Sequence, residues 1–300
     1  MNWELDGHTV HITHLDKLYW PATESGAGFT KGDMLRYYVR VAPTLLPYVQ
    51  ARPVTVRVYP EGVQGASYYQ RDRPARAPAW LRSVSYRPKT SHKPVQLILV
   101  DDRASLIWLA NAGSIEFHAW SSRLTDLSVP DQAIFDLDPG DEATFADVLQ
   151  TALWLREMLD LRHLNSAAKT SGGRGLHVYV PLVPGHGFDA VRAWVKRMAE
   201  ELAMAHPGLV TVASGSTQTH RGTQVTIDYA QNSLGRNTAA AYTLRAHLTS
   251  PAVSTPIGWD EVAAGSFQPT EFTPAAALER LERLGDLFAP VLTGGQRLDL

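Results

Sequence analysis

The stretch AIFDLDPGD, residues 133–141, sets Asp136 and Asp138 two apart on a short apolar run that Pro139 and Gly140 end. On a β-strand an i, i+2 pair points to one face, so the two carboxylates converge while Phe135 and Leu137 face the other way. Like charges so close are stable if they share a proton, if both stay in water, or if a divalent cation neutralises them. The alternative is a strand running into an acidic turn. The cation reading carries chemistry, because acids holding two divalent ions roughly 3.5–4 Å apart activate an attacking oxygen and neutralise a leaving one in phosphoryl or nucleotidyl transfer. The chain has no cysteine, which excludes disulfides, thiolate metal sites and cysteine nucleophiles. Asp, Glu and His remain as ligands, and hard oxygen donors favour Mg²⁺ or Mn²⁺.

The elements that position these acids follow from periodicity. After the FDLDPG strand, DEATFADVLQTALWLREML spaces Phe145, Val148, Leu149, Ala152 and Leu153 as one face of a helix with acids at its N-terminus. A strand over His163 to Thr170, the turn SGGRG and the strand LHVYVPL then read as a hairpin. A second helix over 188–204 ends at Pro207-Gly208, and QVTIDY alternates Val225, Ile227 and Tyr229 against Gln224, Thr226 and Asp228. The order β-α-β-β-α-β is the split βαβ, or ferredoxin-like, unit that RNA-recognition folds also use. Both helices cover one face of its sheet, so Asp136, Asp138, His177 and Asp228 share the other. Three uncompensated acids there would cost stability, which favours a cation. A triphosphate clamp is offered by Ser171-Gly-Gly-Arg-Gly175, where small residues let amides approach anionic oxygens and Ser171 and Arg174 point into the same space. It lacks a P-loop ending, and a plain glycine-rich hairpin turn is the other reading.

Upstream, residues 30–46 read as a helix capped by Thr30, and 54–59 and 95–100 as strands. The 300 residues are 44% hydrophobic and 19% charged, with a net charge of −2, an ordinary globular composition. Charge is uneven: residues 51–93 hold nine basic groups, among them Arg57, Arg71, Arg73 and Lys89, against two acids, while 255–300 hold seven acids against three arginines. A basic face of that kind suits a polyanion. Tyr68 and Tyr69 interleave with these arginines, as in a stacking platform for nucleic acid. No secretory n-region or membrane-length apolar run is visible, so a cytoplasmic, nucleoid-associated protein with no membrane partner is expected.

The chain resembles the polymerase domain of bacterial DNA ligase D, in the archaeo-eukaryotic primase superfamily. The likeness runs through HLDKLYWP, FTKGDMLRYY, RPVTVRVYPEGVQGASYYQR, WLANAGSIEFHAW, FDLDPG, TSGGRGLHVYVPL and TIDYAQNSLGRNTAAAYTLRA. It implies an α+β, archaeo-eukaryotic primase-like fold: one domain over 1–300 with an N-terminal mixed α/β lobe (1–125), a catalytic unit (126–250) and a C-terminal helical extension (251–300). Asp136, Asp138 and Asp228 would be the metal triad, and His118, Ser171, Arg174, His177 and Arg245 would contact the incoming nucleotide. Lys17 and Lys31, otherwise two surface lysines, fall where the family recognises a 5′-phosphate on the downstream strand. Tyr68 and Tyr69 fall where a pair, usually Phe, stacks on template bases, with Arg57 and Arg71 beside them on the DNA. The family often has Lys at the positions of Arg71 and Arg174 and Pro near Ala241, and TESGAGFTK is slightly long.

The expectation is a metal-dependent nucleotidyltransferase that extends a primer 3′-OH on gapped or broken DNA in non-homologous end joining or gap repair. The resemblance implies ribonucleotide preference, Mn²⁺ or Mg²⁺ at a two-metal site, NTPs and dNTPs as substrates, and Ku and a separate or fused DNA ligase as partners. No phosphoesterase or ligase module follows, so the expectation is either a stand-alone polymerase or one domain of a longer protein. The alternatives are a two-metal nuclease or phosphoesterase using the same acids, and a non-catalytic module that binds 5′-phosphorylated DNA ends.

Overall fold

In the computed structural model, residues 1–22, 28–88, 93–213, 222–247 and 249–299 are described, and Lys89 and most of TESGAGFTK lie outside them. The architecture is mixed α/β and divides into two compact units. The first comprises 1–120, 237–253 and 273–280, the second 121–236, 254–272 and 281–300. The division is not sequential as expected: 237–253, with Arg245, leaves the 126–250 segment and belongs to the N-terminal unit.

In the second unit a six-stranded sheet runs in the order Val210–Val212, Val225–Asp228, Gln132–Pro139, Leu176–Pro181, Ala167–Thr170 and Pro256–Ile257. Only the first pair is parallel. Chain order around its middle is strand, helix, strand, strand, helix, strand, the helices being Phe145–Asp160 and Phe188–Ala205. Thr144 caps the first helix through a reciprocal box with Asp147. The expected 163–170 strand is shorter, Ala167–Thr170, because His163 takes a positive φ of 56° in the turn that follows the helix. Phe135, Leu137, Leu176, Val178, Val225 and Ile227 pack with Val148, Leu155, Val191, Val195 and Met198 in one buried core. The alternation that buries those residues leaves Asp136, Asp138, His177, Asp228 and Lys169 on the opposite face.

In the first unit, Thr238–Ala239, Ser114–Ala119, Pro53–Val58, Val95–Leu99 and Ser83–Tyr86 form a sheet in that order, with Tyr68–Gln70 also pairing Pro53–Val58. The helix Lys31–Val49 opens on a capping box between Thr30 and Asp33 and buries Met34, Leu35, Tyr38, Val41, Ala42 and Leu45. The helix Arg103–Asn111 is capped by Asp102. No helix among the described residues is long and apolar enough to cross a membrane.

Candidate active site

Register lines up the polar face of the second unit's sheet. Asp136 lies opposite Asp228 on one side and His177 on the other, and His177 in turn lies opposite Lys169. The row Asp228, Asp136, His177, Lys169 therefore crosses four strands, with Asp138 two residues along from Asp136. His177 Nε2 sits 3.2 Å from Asp136 Oδ1. Lys169 Nζ lies 2.8 Å from His177 Nδ1 and donates to Ser254 Oγ at 2.7 Å. Asp136 Oδ2 also accepts from Gln231 at 3.3 Å, and Asp228 Oδ1 accepts from the amide of Ala230 at 2.8 Å. Asp136, His177 and Asp228 are buried and Lys169 is fully so, whereas Asp138 is half-buried.

The glycine-rich turn lies beside these acids. The amides of Gly173 and Gly175 both donate to Ser171 Oγ, at 3.1 and 3.2 Å, and Gly172 takes a φ of +72° that a side chain would strain. The two amides fix the Ser171 hydroxyl, which has an O–H that can donate to an anionic oxygen. Gly175 packs so close to the Asp136–Asp138 strand that a Cβ there would overlap the Leu137 carbonyl oxygen and lie 3.2 Å from Asp138 Oδ1. Arg174 is exposed and donates to the carbonyls of Gly140, at 2.8 Å, and Ala143.

Among the described residues, no group of three or more His, Asp and Glu is drawn together as a metal site. The donor chemistry nonetheless fits a hard divalent cation: three carboxylates at neighbouring register positions on one face, with no thiolate ligand in the chain.

A second polar cluster belongs to the first unit. On Ser114–Ala119, Glu116 and His118 share a face, with His118 Nε2 2.9 Å from Glu116 Oε2. Arg245 Nε lies 3.3 Å from the same oxygen, the Ala246 amide donates to Oε1 at 3.1 Å, and Arg57 Nη1 is 3.8 Å from Oε1. Burial by itself would raise the Glu116 pKa, but the His118 hydrogen bond, the charges of Arg245 and His118 and the Ala246 amide outweigh it and hold the carboxyl at about 2. Arg57 also lies under the rings of Tyr59 and Tyr69, at 5.2 and 5.3 Å from their centroids. Tyr69 meets the His118 ring edge-on at 5.7 Å.

Tyr68 and Tyr69 are both exposed, but successive residues of one strand face opposite ways. Tyr69 stands with Arg57 and His118, while Tyr68 lines a cavity of about 400 Å³ with Arg76, Leu109 and Ala112. The basic stretch is less free than its composition implies. Arg52 is buried and reaches the Trp120 carbonyl, Arg73 ties down the carbonyls of Ala77, Pro78 and Leu81, and Arg82 pairs with Asp101. Arg71 and Arg76 are exposed.

Lys17 and Lys31 are neighbours, since the Lys31 amide donates to the Lys17 carbonyl at 2.8 Å. Lys17 Nζ donates to the Pro60 carbonyl at 2.6 Å and pairs with Glu61 at 2.9 Å. Lys31 is not a surface lysine: it is 4% exposed, opens its helix, and donates to Thr13 Oγ1 at 3.2 Å. Burial and the charge of Lys17 lower its pKa to about 8.

Comparison with known proteins gives the family. The family described as "LigD, primase-polymerase domain" matches residues 30–288. The chain belongs to that family. It is a nucleotidyltransferase domain of the primase-polymerase type, and the Asp136–Asp138–Asp228 face lies inside the matched segment. The multifunctional non-homologous end joining protein LigD of Mycolicibacterium smegmatis is 32% identical over 286 residues, covering 94% of this chain and 36% of that protein. The bifunctional LigD of Bacillus subtilis is 29% identical over 277 residues, covering 92% of this chain and 43% of that protein. The chain thus spans less than half the length of these curated relatives. Among solved structures, the polymerase domain of Mycobacterium tuberculosis ligase D in complex with DNA superposes with a TM-score of 0.85 at 29% identity, covering 96% of this chain and 99% of that one.

Two residues of this primase-polymerase chain escape a reading of its sequence. Lys169 sits in AAKT, a four-residue strand among small residues, and only its register against His177 reveals it. Glu116 looks like the strand neighbour of His118 and proves to be the acceptor for several groups around it. Its signal is the E-x-H spacing itself, which puts an acid and an imidazole on one strand face.

Proposed function

We propose that the chain extends a primer 3′-hydroxyl opposite a template on gapped or broken DNA, in non-homologous end joining or gap repair, with ribonucleotides preferred. The observation that carries this reading is the cross-strand row of Asp228, Asp136 and His177 with Asp138 beside it, on the face opposite the helix-packed core of a strand-helix-strand-strand-helix-strand sheet. We read that sheet as an RNA-recognition-like, or ferredoxin-like, catalytic unit of the archaeo-eukaryotic primase kind. The relatives' names support the end-joining context, and the DNA-bound polymerase domain that superposes on this chain supports a DNA substrate.

In this reading Asp136, Asp138 and Asp228 hold Mn²⁺ or Mg²⁺. Such ions, when bound, lower the pKa of the primer hydroxyl and neutralise the triphosphate. The chain's own groups do the rest. His177, held between Lys169 and Asp136, presents a ring in fixed orientation, and the Ser171 hydroxyl, fixed by the Gly173 and Gly175 amides, serves as a donor to a phosphate oxygen. Arg174, His118 and Arg245 are the remaining nucleotide contacts. Tyr69 with Arg57 forms the stacking surface for the template, and Tyr68 and Arg71 contact DNA on either side of it. Lys17 and Lys31 take the downstream 5′-phosphate, and Ku and a ligase supply recruitment and sealing.

The test is primer extension on a gapped duplex with a downstream 5′-phosphate, in Mn²⁺ or Mg²⁺, with each NTP and dNTP. Templated addition, faster with NTPs, is expected. Shortening of the primer would replace this reading with a nuclease, and binding of the phosphorylated gap with no addition would replace it with an end-binding module.

A further inference from the structure

Glu116 is 1% exposed, yet it is a carboxylate in the middle of a sheet. A buried anion is tolerated only when its oxygens are paired, and here the pairing is shared among groups from three separate segments of the first unit. His118 comes from its own strand, Arg57 and Tyr59 from the strand Pro53–Val58 and the residue after it, and Arg245 and the Ala246 amide from the strand Leu244–Ala246. Tyr69, from a fourth strand, closes over Arg57 and His118. Register brings some of these groups together, since Arg57 lies opposite Glu116 and Tyr69, while Arg245 is in register with Ala252 on its own hairpin. The carboxylate is their common partner.

We propose that Glu116 is a positioning residue that sets His118, Arg245 and Arg57 as one coupled group, so that nucleotide contacts and the template-stacking platform hold a single geometry. This rests on the nucleotide and template roles given above for those three residues. Two consequences follow. An ionised Glu116 accepts only, so His118 must carry its proton on Nε2, which leaves Nδ1 to face other partners. Removing the charge while keeping the shape releases all three cationic or imidazole groups together, so the damage appears in nucleotide capture before it appears in the chemical step.

The experiment compares wild type with Glu116→Gln in primer extension, together with His118→Ala and the double variant. Expected are a KM for the incoming nucleotide raised about tenfold, a kcat within about threefold of wild type, and a smaller effect of Glu116→Gln in the His118→Ala background than alone. An unchanged KM, or equal effects in the two backgrounds, would overturn the proposal. Long-range ¹H–¹⁵N spectra of the wild-type protein test it without any variant: a proton on His118 Nε2 is expected, and a bare Nε2 would overturn it. A wild type that extends no primer refutes the function reading itself, whereas an active wild type with an indifferent Glu116→Gln refutes this inference alone.

Discussion

Gly175→Ala tests whether the clamp turn and the acid-bearing strand are built as one piece. The added methyl would overlap the Leu137 carbonyl oxygen, and Leu137 lies between Asp136 and Asp138 with its side chain fully buried in the core. Gly175 does not have a positive φ, so the loss is steric rather than a backbone penalty. To relieve the overlap, either the Gln132–Pro139 strand or the turn before Leu176–Pro181 must move against a closely packed layer. Overpacking of this kind costs about 1–3 kcal/mol. At roughly 2–4 °C per kcal/mol for chains of this size, Tm falls by about 2–12 °C. Activity suffers more, since a displacement of about 1 Å at reacting groups costs on the order of 100-fold. Gly185→Ala is the control, because a Cβ there meets nothing within 4 Å and the φ is not positive. That change should be neutral or stabilise by about 0.4–1 kcal/mol. The assay is thermal denaturation and primer extension of both variants side by side. A Gly175→Ala protein with wild-type Tm and wild-type extension would refute the claim that this glycine sets the spacing of the two acids.

Burial lowers the Lys31 pKa to about 8 from the ordinary lysine value of 10.5, so it penalises the folded state fully below pH 8, and the penalty fades as pH rises from 8 to 10.5. Lys31→Met should therefore be more stable than wild type in urea at pH 7, by about 1–3 kcal/mol, with the gap closing toward pH 10.5; a gap independent of pH would contradict this. Thr144→Ala removes the capping box of the helix Phe145–Asp160 and should cost about 1 kcal/mol by urea denaturation, with Thr144→Ser nearly silent. Tyr69→Ala should weaken binding of a single-stranded template overhang about 10- to 100-fold in fluorescence anisotropy while Tyr69→Phe retains it, because the ring and not the hydroxyl stacks. Equal losses in the two variants would assign the effect to the hydroxyl.

The second unit was largely legible because its strands alternate cleanly. In QAIFDLDP and LHVYVP the apolar members commit to the helix-covered face, and the polar members have nowhere else to go. Thr30 and Thr144 each precede an aspartate by three residues, and both caps are present. What stayed hidden depends on contacts distant in the chain. Nothing in the composition of 237–253 says that the chain returns to its N-terminal unit, and with it Arg245. Lysines and arginines default to solvent, so the burial of Lys31 and Lys169 and the structural ties of Arg52 and Arg73 have no signature in one sequence. The Tyr68-Tyr69 pair reads in sequence as one platform or as a strand end, and the strand turns the two rings to opposite faces, putting Tyr69 beside Arg57 and His118.

The most direct test of the account is the rate of nucleotide addition in Mn²⁺ by Asp136→Asn, Asp138→Asn and Asp228→Asn proteins that melt like wild type. Each substitution keeps the shape and removes one charge from the polar face. The account predicts that all three lose at least about 100-fold in kcat, because each carboxylate serves the same transfer. Any one of the three, folded and extending primers at the wild-type rate, would contradict it.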